Sequence, residues 1–228
     1  MAIKLSVETD KRSLREQIVR VIRESILKGA LKPGERLVEA VLAKEMNVSR
    51  APLREAFWLL AQQGYLRVVP HEGTSVVNVT PAELRQIHVL RDALEPLAAD
   101  GAALHLEMDD KRKLVDLKSE MRRSADARKF RQYFEHDLSF HQTIWKLSGN
   151  FILNNVLKTV CQPFFTYFIV NCRPSDKDFE ALVEAHEAII SAFQPNADQH
   201  LGDTVHECLR IETDLISAST RNRKGRDR

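Results

Sequence analysis

The sequence predicts a mainly α protein in two parts: three helices closed by a small β-hairpin, then an antiparallel all-helical bundle. Three observations carry this. Apolar residues recur at helical spacing in 12–28, 38–46 and 49–63. Two β-branched and aromatic runs, 65–69 and 74–79, flank the loop Pro70-His71-Glu72-Gly73. Beyond Thr80 no strand signal appears, and the remaining patterns are all helical.

In the first helix, apolar side chains at 14, 18, 21, 22 and 26 form one stripe, and Gly29 stops it. Leu31-Lys-Pro-Gly-Glu is a turn. A short helix around Val38, Val41, Leu42 and Met46 leads through Asn47-Val48 into a third. That one opens at Ser49, a residue type whose hydroxyl caps backbone N–H groups, with Pro52 in its first turn, where a missing N–H costs nothing. Gly64 ends it. Helix, helix, helix and hairpin in this order make a winged helix-turn-helix, predicted over 1–79. Thr80-Pro81 begins the next part with an N-cap and a first-turn proline. Helices follow near 81–105, 109–126, 128–148, 151–172, 176–194 and 197–218, and form a domain over 80–220. The basic tail 221–228 is expected to be disordered.

Composition narrows the class. The 228 residues suffice for two small domains, and 43% hydrophobic content is that of a globular chain. No apolar run is long enough to span a membrane, and the N-terminus lacks a signal-peptide core. Cys161, Cys172 and Cys208 are odd in number and widely spaced, so no disulfide framework is expected and the cytoplasm is the expected compartment. Residues 1–78 carry 13 Lys/Arg against 9 Asp/Glu, and the tail carries 5 basic residues and one acidic. Each is therefore +4, and the overall +2 leaves the middle at −6. A basic first module beside an acidic body suits a polyanionic partner for that module alone.

Val48-Ser-Arg-Ala-Pro-Leu-Arg-Glu-Ala-Phe57 resembles the recognition helix of the GntR family of bacterial regulators. The likeness extends from Lys32-Pro-Gly-Glu-Arg-Leu37 through Leu42-Ala43 to Gly64-Tyr-Leu66 and Gly73-Thr-Ser-Val76. It implies DNA roles for Ser49, Arg50, Arg54 and Gly73. The residues themselves agree. Arg50 and Arg54 are four apart, on one face at the end of the helix that enters a major groove, where Arg pairs with guanine or clamps phosphate. Ser49 and the helix N-terminus suit a phosphate. His71 and Gly73 mark the wing tip, where glycine lets backbone approach the minor groove. Ala51 stands where threonine is commonest in the family motif, and Ala40 where some relatives have a DNA-contacting arginine; both bear on sequence preference.

The second part carries inward-facing polar residues. Asp137 and His141 fall at the centre of the face made by Phe130, Phe134, Leu138, Ile144 and Trp145. His186 is central to Phe179, Leu182, Val183, Ile190 and Phe193. Cys208 lies near the centre of the last helix's face, while His206 points mostly away. A buried carboxylate needs a partner or a metal. Asp-x3-His plus a second inward His reads as a metal site suited to Zn²⁺, with Ni²⁺ and Mn²⁺ also compatible; an Asp–His hydrogen-bonded core without metal is the alternative.

This part also resembles the FCD effector domain, through Arg91-Asp-Ala-Leu-Glu-Pro-Leu-Ala98, Asp137-Leu-Ser-Phe-His141, Ser148-Gly-Asn150 and Glu184-Ala-His-Glu-Ala-Ile189. That resemblance implies a metal held by one Asp and three His beneath a carboxylate-binding pocket. Asp137, His141 and His186 match; the last position falls on Cys208, with His206 as the alternative. It also implies effector contacts at Arg91 and Asn150. Arg91 could equally form a structural ion pair with Glu95 or Asp92.

The resulting expectation is a homodimeric repressor that binds double-stranded DNA at a short inverted repeat and is controlled by a small organic acid. Two rivals remain. The metal itself could be the signal. Alternatively the same residues could activate water in a metalloenzyme. The sequence offers no clear general base for that chemistry, and it would leave the DNA-binding module without a task.

Overall fold

The computed structural model describes residues 13–69, 71–171, 174–193 and 201–224. They form two compact units, divided after Val79. Among the described residues, no helix is long and apolar enough to cross a membrane.

In the first unit, α1 (Leu14–Leu27) opens with a reciprocal capping box between Ser13 and Glu16 and buries Ile18, Val19, Ile22 and Ile26. Strand β1 (Arg36–Leu37) follows the Lys32-Pro-Gly-Glu turn. Helix α2 (Glu39–Met46) ends at Asn47, whose left-handed φ of 53° turns the chain toward α3 (Arg50–Gln62). α3 buries Leu53, Ala56, Phe57 and Leu60 and packs on α1. The hairpin is β2 (Leu66–Val69) and β3 (Gly73–Val76).

Two features differ from the sequence expectation. β1 follows the expected turn, and no strand was expected there. It pairs antiparallel with β3, giving a three-stranded sheet in the order β1-β3-β2. A two-residue strand is too short for periodicity to reveal, because its strand character comes from its partner. Ser49 occupies the N-cap position of α3, yet its side chain makes no capping bond.

In the second unit, α4 (Pro81–Ala103) starts with a capping box between Thr80 and Glu83 and has Pro81 in its first turn. The others are α5 (Met108–Asp126), α6 (Phe130–Leu147), α7 (Phe151–Asn171), α8 (Asp176–Ala192) and α9 (Leu201–Lys224). α4 packs against α6, α7 and α9, α5 against α6 and α8, and α8 against α9. The core has an aromatic layer of Tyr133, Phe134, Phe140, Trp145, Phe164, Phe165, Phe168 and Phe179. α9 continues to Lys224, so the start of the basic segment is helical where a disordered tail was expected; 225–228 lie outside the described residues. The expected start of this helix at 197 also lies outside them, as does Cys172.

One close approach fixes α4 against the α6–α7 turn. A Cβ on Gly101 would lie 2.8 Å from the Ser148 carbonyl oxygen and 3.2 Å from its Cβ. The turn itself needs Gly149, with φ of 70°. Gly101→Ala is therefore expected to lower stability by about 1–3 kcal/mol, the usual cost of overpacking. Urea unfolding checks this, and an unchanged midpoint would contradict the close contact.

Candidate functional site

The first unit presents its candidate contacts on the surface. Ser49, Arg50, Ala51 and Arg54 are all exposed along the N-terminal half of α3. Arg54 is paired across to α2: its Nε and Nη2 donate to the two Glu39 carboxylate oxygens at 3.3 and 2.9 Å. The hydrogen bond from Arg54 holds the Glu39 carboxyl below its ordinary pKa. His71 and Gly73 both have left-handed backbone, with φ of 67° and 98°, at the exposed wing turn. Arg36 was not predicted. Its guanidinium lies 3.4 Å from where a Gly73 Cβ would be. Register aligns Arg36, Ser75 and Arg67 across the three strands, so these side chains share a sheet face. The signal was hidden because β1 was hidden.

The second unit gathers its inward polar residues into one buried centre. Asp137 and His141 come from α6, His186 from α8, and Cys208 from α9; all four are buried. Arg91 and Glu95 of α4 and Glu212 of α9 complete the centre, buried equally. Asp137 Oδ1 lies 3.0 Å from His186 Nε2 and 3.4 Å from His141 Nε2. His141 Nδ1 is 2.7 Å from Glu95 Oε2, and Trp145 Nε1 donates to that same oxygen at 3.2 Å. His186 Nδ1 is 2.6 Å from the Leu182 carbonyl oxygen. Arg91 Nε donates to Glu95 Oε1 at 2.5 Å and its Nη1 to Glu212 Oε2, while its guanidinium lies over Phe164 and Phe165.

Electrostatics follows from this packing. Burial opposes the charged form of Glu95, but Arg91 and His141 outweigh it and hold the pKa at about 2. Burial likewise opposes the charge on Arg91; Glu212 and Glu95 reverse that and raise its pKa well above normal. Asp137 is held low against burial by the neighbouring imidazoles of His141 and His186. His141 is raised well above its usual value because Glu95 and Asp137 overcome burial. The Cys208 thiol is pushed up to about 12 by burial.

These residues suit a divalent cation. A cation would replace the proton that the raised His141 otherwise keeps: without that proton, three buried carboxylates face one guanidinium and two negative charges are left over. A His141 that donates its Nδ1 proton to Glu95 turns the Nε2 lone pair inward. That atom has no hydrogen-bond partner, and neither has Glu212 Oε1, 3.7 Å away. Separations of 3.4 and 3.7 Å are long for a charge-assisted hydrogen bond, which spans about 2.7–2.9 Å. They approach the about 3.0–3.4 Å between two donors that share an ion at about 2.1 Å. One ligand atom each from His141, His186, Cys208 and Glu212 lies within 4.8 Å of the others. Both imidazoles also hold their Nδ1 against a protein oxygen, the arrangement that orients a metal-binding histidine.

The remaining sequence expectations sort clearly. His206 does not join: it is 47% exposed and pairs with Asp92 at 2.6 Å. The register of α9 turns Cys208 inward instead. Arg91 is engaged by Glu95 as one reading had it, but the further partner is Glu212 rather than Asp92. Asn150 lies outside the centre. It is exposed, and its Oδ1 accepts the Leu153 N–H as a helix cap. Glu212 was missed, and Glu95 was expected only as an ion-pair partner of Arg91. Each lies four residues beyond an inward residue already identified, Cys208 and Arg91, so extending the same face by one turn would have placed both in the centre.

A winged helix-turn-helix joined to a helical domain with a buried polar centre defines a transcriptional regulator with a separate ligand domain. The chain belongs to the GntR family of bacterial regulatory proteins, which its residues 14–76 match, and carries an FCD domain over residues 86–210. The HTH-type transcriptional repressor RspR of Escherichia coli K12 is 28% identical over 224 residues, 95% of this chain and 94% of that one. An HTH-type transcriptional regulator in an unstable DNA locus of Streptomyces ambofaciens is 36% identical over 154 residues, 67% of this chain; the match spans 63% of that relative. In fold the chain is similar to E. coli McbR/YncC, with a TM-score of 0.64 at 22% identity, covering 95% of this chain and all of the other. The matched families and relatives are regulators, not enzymes, and the repressor name occurs among them.

Arg91→Leu should cost about 3–5 kcal/mol, because it strands two buried carboxylates. Guanidinium unfolding measures this, and a loss below about 1 kcal/mol would show that those carboxylates take up protons or partners at little cost.

Proposed function

We propose that this regulator is a repressor that binds a short inverted-repeat operator as a homodimer. A small organic acid, bound in a helical domain that also holds a divalent metal, releases it. The observation that carries the DNA reading is the exposed front of α3, where Arg50 and Arg54 stand on one face beside an uncapped, exposed Ser49. Arg50 and Arg54 read base edges or clamp phosphates, Ser49 and the α3 N-terminus meet a phosphate, and Ala51 leaves room for close approach. His71 and Gly73 bring the wing to the neighbouring minor groove.

Metal binding falls to Asp137, His141, His186 and Cys208. Zn²⁺ suits the mixed nitrogen and sulfur donors best, and Ni²⁺ and Mn²⁺ are the competitors. A bound ion would also bring the buried Cys208 thiol to its thiolate. The effector carboxylate belongs at Arg91. An effector that prefers one arrangement of the protein shifts the population away from the DNA-competent one.

Dimerisation has a candidate face. Leu90 and Leu97 of α4 and its C-cap residue Leu104 follow one another at seven-residue spacing, and all are exposed. Exposed Phe151 and Ile152 begin α7, next to the Ser148 contact with Gly101. A second copy of the chain covers this apolar patch in the proposed dimer.

The DNA reading is tested by selecting ligands from random duplex DNA with the full chain and measuring anisotropy on the selected duplex. Arg50→Ala and Arg54→Ala should each weaken binding by about 5- to 150-fold, the worth of a bidentate base contact. Retained affinity at moderate salt would refute their role.

For the dimer, Leu97→Glu combined with Phe151→Glu should move sedimentation from dimer to monomer at micromolar concentration. A persisting dimer would place the interface elsewhere.

A further inference from the structure

Glu212 occupies an unusual position. One carboxylate oxygen, Oε2, takes the Nη1 proton of Arg91, and the other, Oε1, faces His141 Nε2 with no hydrogen bond of its own. The residue is fully buried and sits on α9, one turn beyond Cys208. Its carboxylate therefore spans the two groups that an acid ligand needs: a guanidinium for one oxygen, and the cation position bounded by His141, His186 and Cys208 for the other. Arg91 Nε is taken as well, by Glu95. Two buried donors still lack acceptors, Arg91 Nη2 and the Tyr133 hydroxyl. Tyr133 lies in the same electrostatic environment, its hydroxyl raised first by burial and then by Asp137, Cys208 and Glu212. The centre thus has unfilled demand for acceptor oxygens while its principal anchor is already held by the chain's own carboxylate.

We propose that Glu212 is a built-in competitor of the effector: an acid enters by displacing the Glu212 carboxylate from Arg91 and from the cation position. This rests on the reading above that the helical domain binds a small acid at Arg91. The class of ligand follows from the geometry. It must present a carboxylate small enough for a closed, buried space, with a further oxygen acceptor for Arg91 Nη2 or the Tyr133 hydroxyl. The displacement also supplies a mechanical output. Arg91 stands on α4 and Glu212 on α9, two helices that pack along each other, so exchanging an internal carboxylate for a free one cuts an ionic tie between them. The tie from Arg91 to Glu95 stays within α4 and is unaffected.

A site occupied by its own side chain binds added ligand more weakly in proportion to the fraction of time it stands open. The experiment titrates acetate, then glycolate, into the full chain by calorimetry, with and without Co²⁺, for the wild type, Glu212→Ala and Glu212→Gln. The wild type is expected to bind either acid weakly. Glu212→Ala should bind acetate at least about tenfold more tightly and gain thermal stability from it, since the anion fills the vacated place. Glu212→Gln keeps the shape and an acceptor for Arg91 without the charge, so it should fall between the two. Equal affinity in all three proteins, or no acid binding by Glu212→Ala and Glu212→Gln, would overturn the proposal. The Co²⁺ arm reports separately on the metal reading: no heat of Co²⁺ binding to wild type would remove the ion from the site, and binding without thiolate-to-cobalt absorption would remove Cys208 from its ligands, while either leaves the acetate comparison to judge Glu212. Arg91→Lys serves as the control on the anchor. Acid binding to Glu212→Ala that is indifferent to Arg91→Lys would place the acid elsewhere, overturning both the proposal and the assignment of the effector to Arg91.

Discussion

The helical domain depends on one constraint: a guanidinium, three carboxylates and two imidazoles lie together where water does not reach. In a low-dielectric interior, each such group alone would destabilise the fold, and removing any partner exposes the cost of the others. The arrangement survives because each charge is answered from another helix. Arg91 on α4 meets Glu212 on α9; Glu95 on α4 meets His141 on α6; Asp137 on α6 meets His186 on α8. The apolar packing brings these helices together, and the polar centre fixes how they face. Phe164 and Phe165 of α7 close over Arg91 and turn part of its charge toward their ring faces.

The same constraint links stability to ligand control. A site assembled from α4, α6, α8 and α9 cannot change its occupant without changing the forces between those helices. If the effector binds at this centre as proposed, ligand chemistry and core electrostatics share the same atoms, and no separate device is needed to carry the signal out of the site. The two-unit division leaves the DNA-reading surface free of this chemistry. Its candidate residues Ser49, Arg50, Ala51 and Arg54 are exposed.

Much of the fold was legible because helical periodicity over many residues is a strong signal, and the inward stripe of α6 located Asp137 and His141 from spacing alone. The capping boxes at Ser13 and Thr80 could likewise be read as residue patterns. What escaped depends on pairing between distant segments. β1 exists only through β3, and Arg36 acquires a role only through that pairing. His206 and Cys208, two residues apart on α9, did not escape: helical periodicity placed Cys208 inward and His206 outward, as found. Asn150 fell to a local rule: at the start of α7 its side chain is consumed by capping. Glu212, more than a hundred residues from Arg91, has no short-range signature of that contact.

The Glu39–Arg54 bridge bears on how the protein searches DNA. Because the carboxylate of α2 grips the guanidinium of α3 with both oxygens, that long side chain is already extended and oriented before any encounter. Contact with a duplex is then an exchange of one anion for another, with little rotamer freedom left to lose. If Arg54 meets DNA as proposed, Glu39 competes with the phosphates of arbitrary sequence for it. Where a guanine presents two acceptors in line, the arginine is offered a neutral partner that Glu39 does not repel. In the proposed reading of Arg54, an acidic side chain one helix away weakens contacts to phosphate more than contacts to guanine, and so favours matching steps over arbitrary sequence.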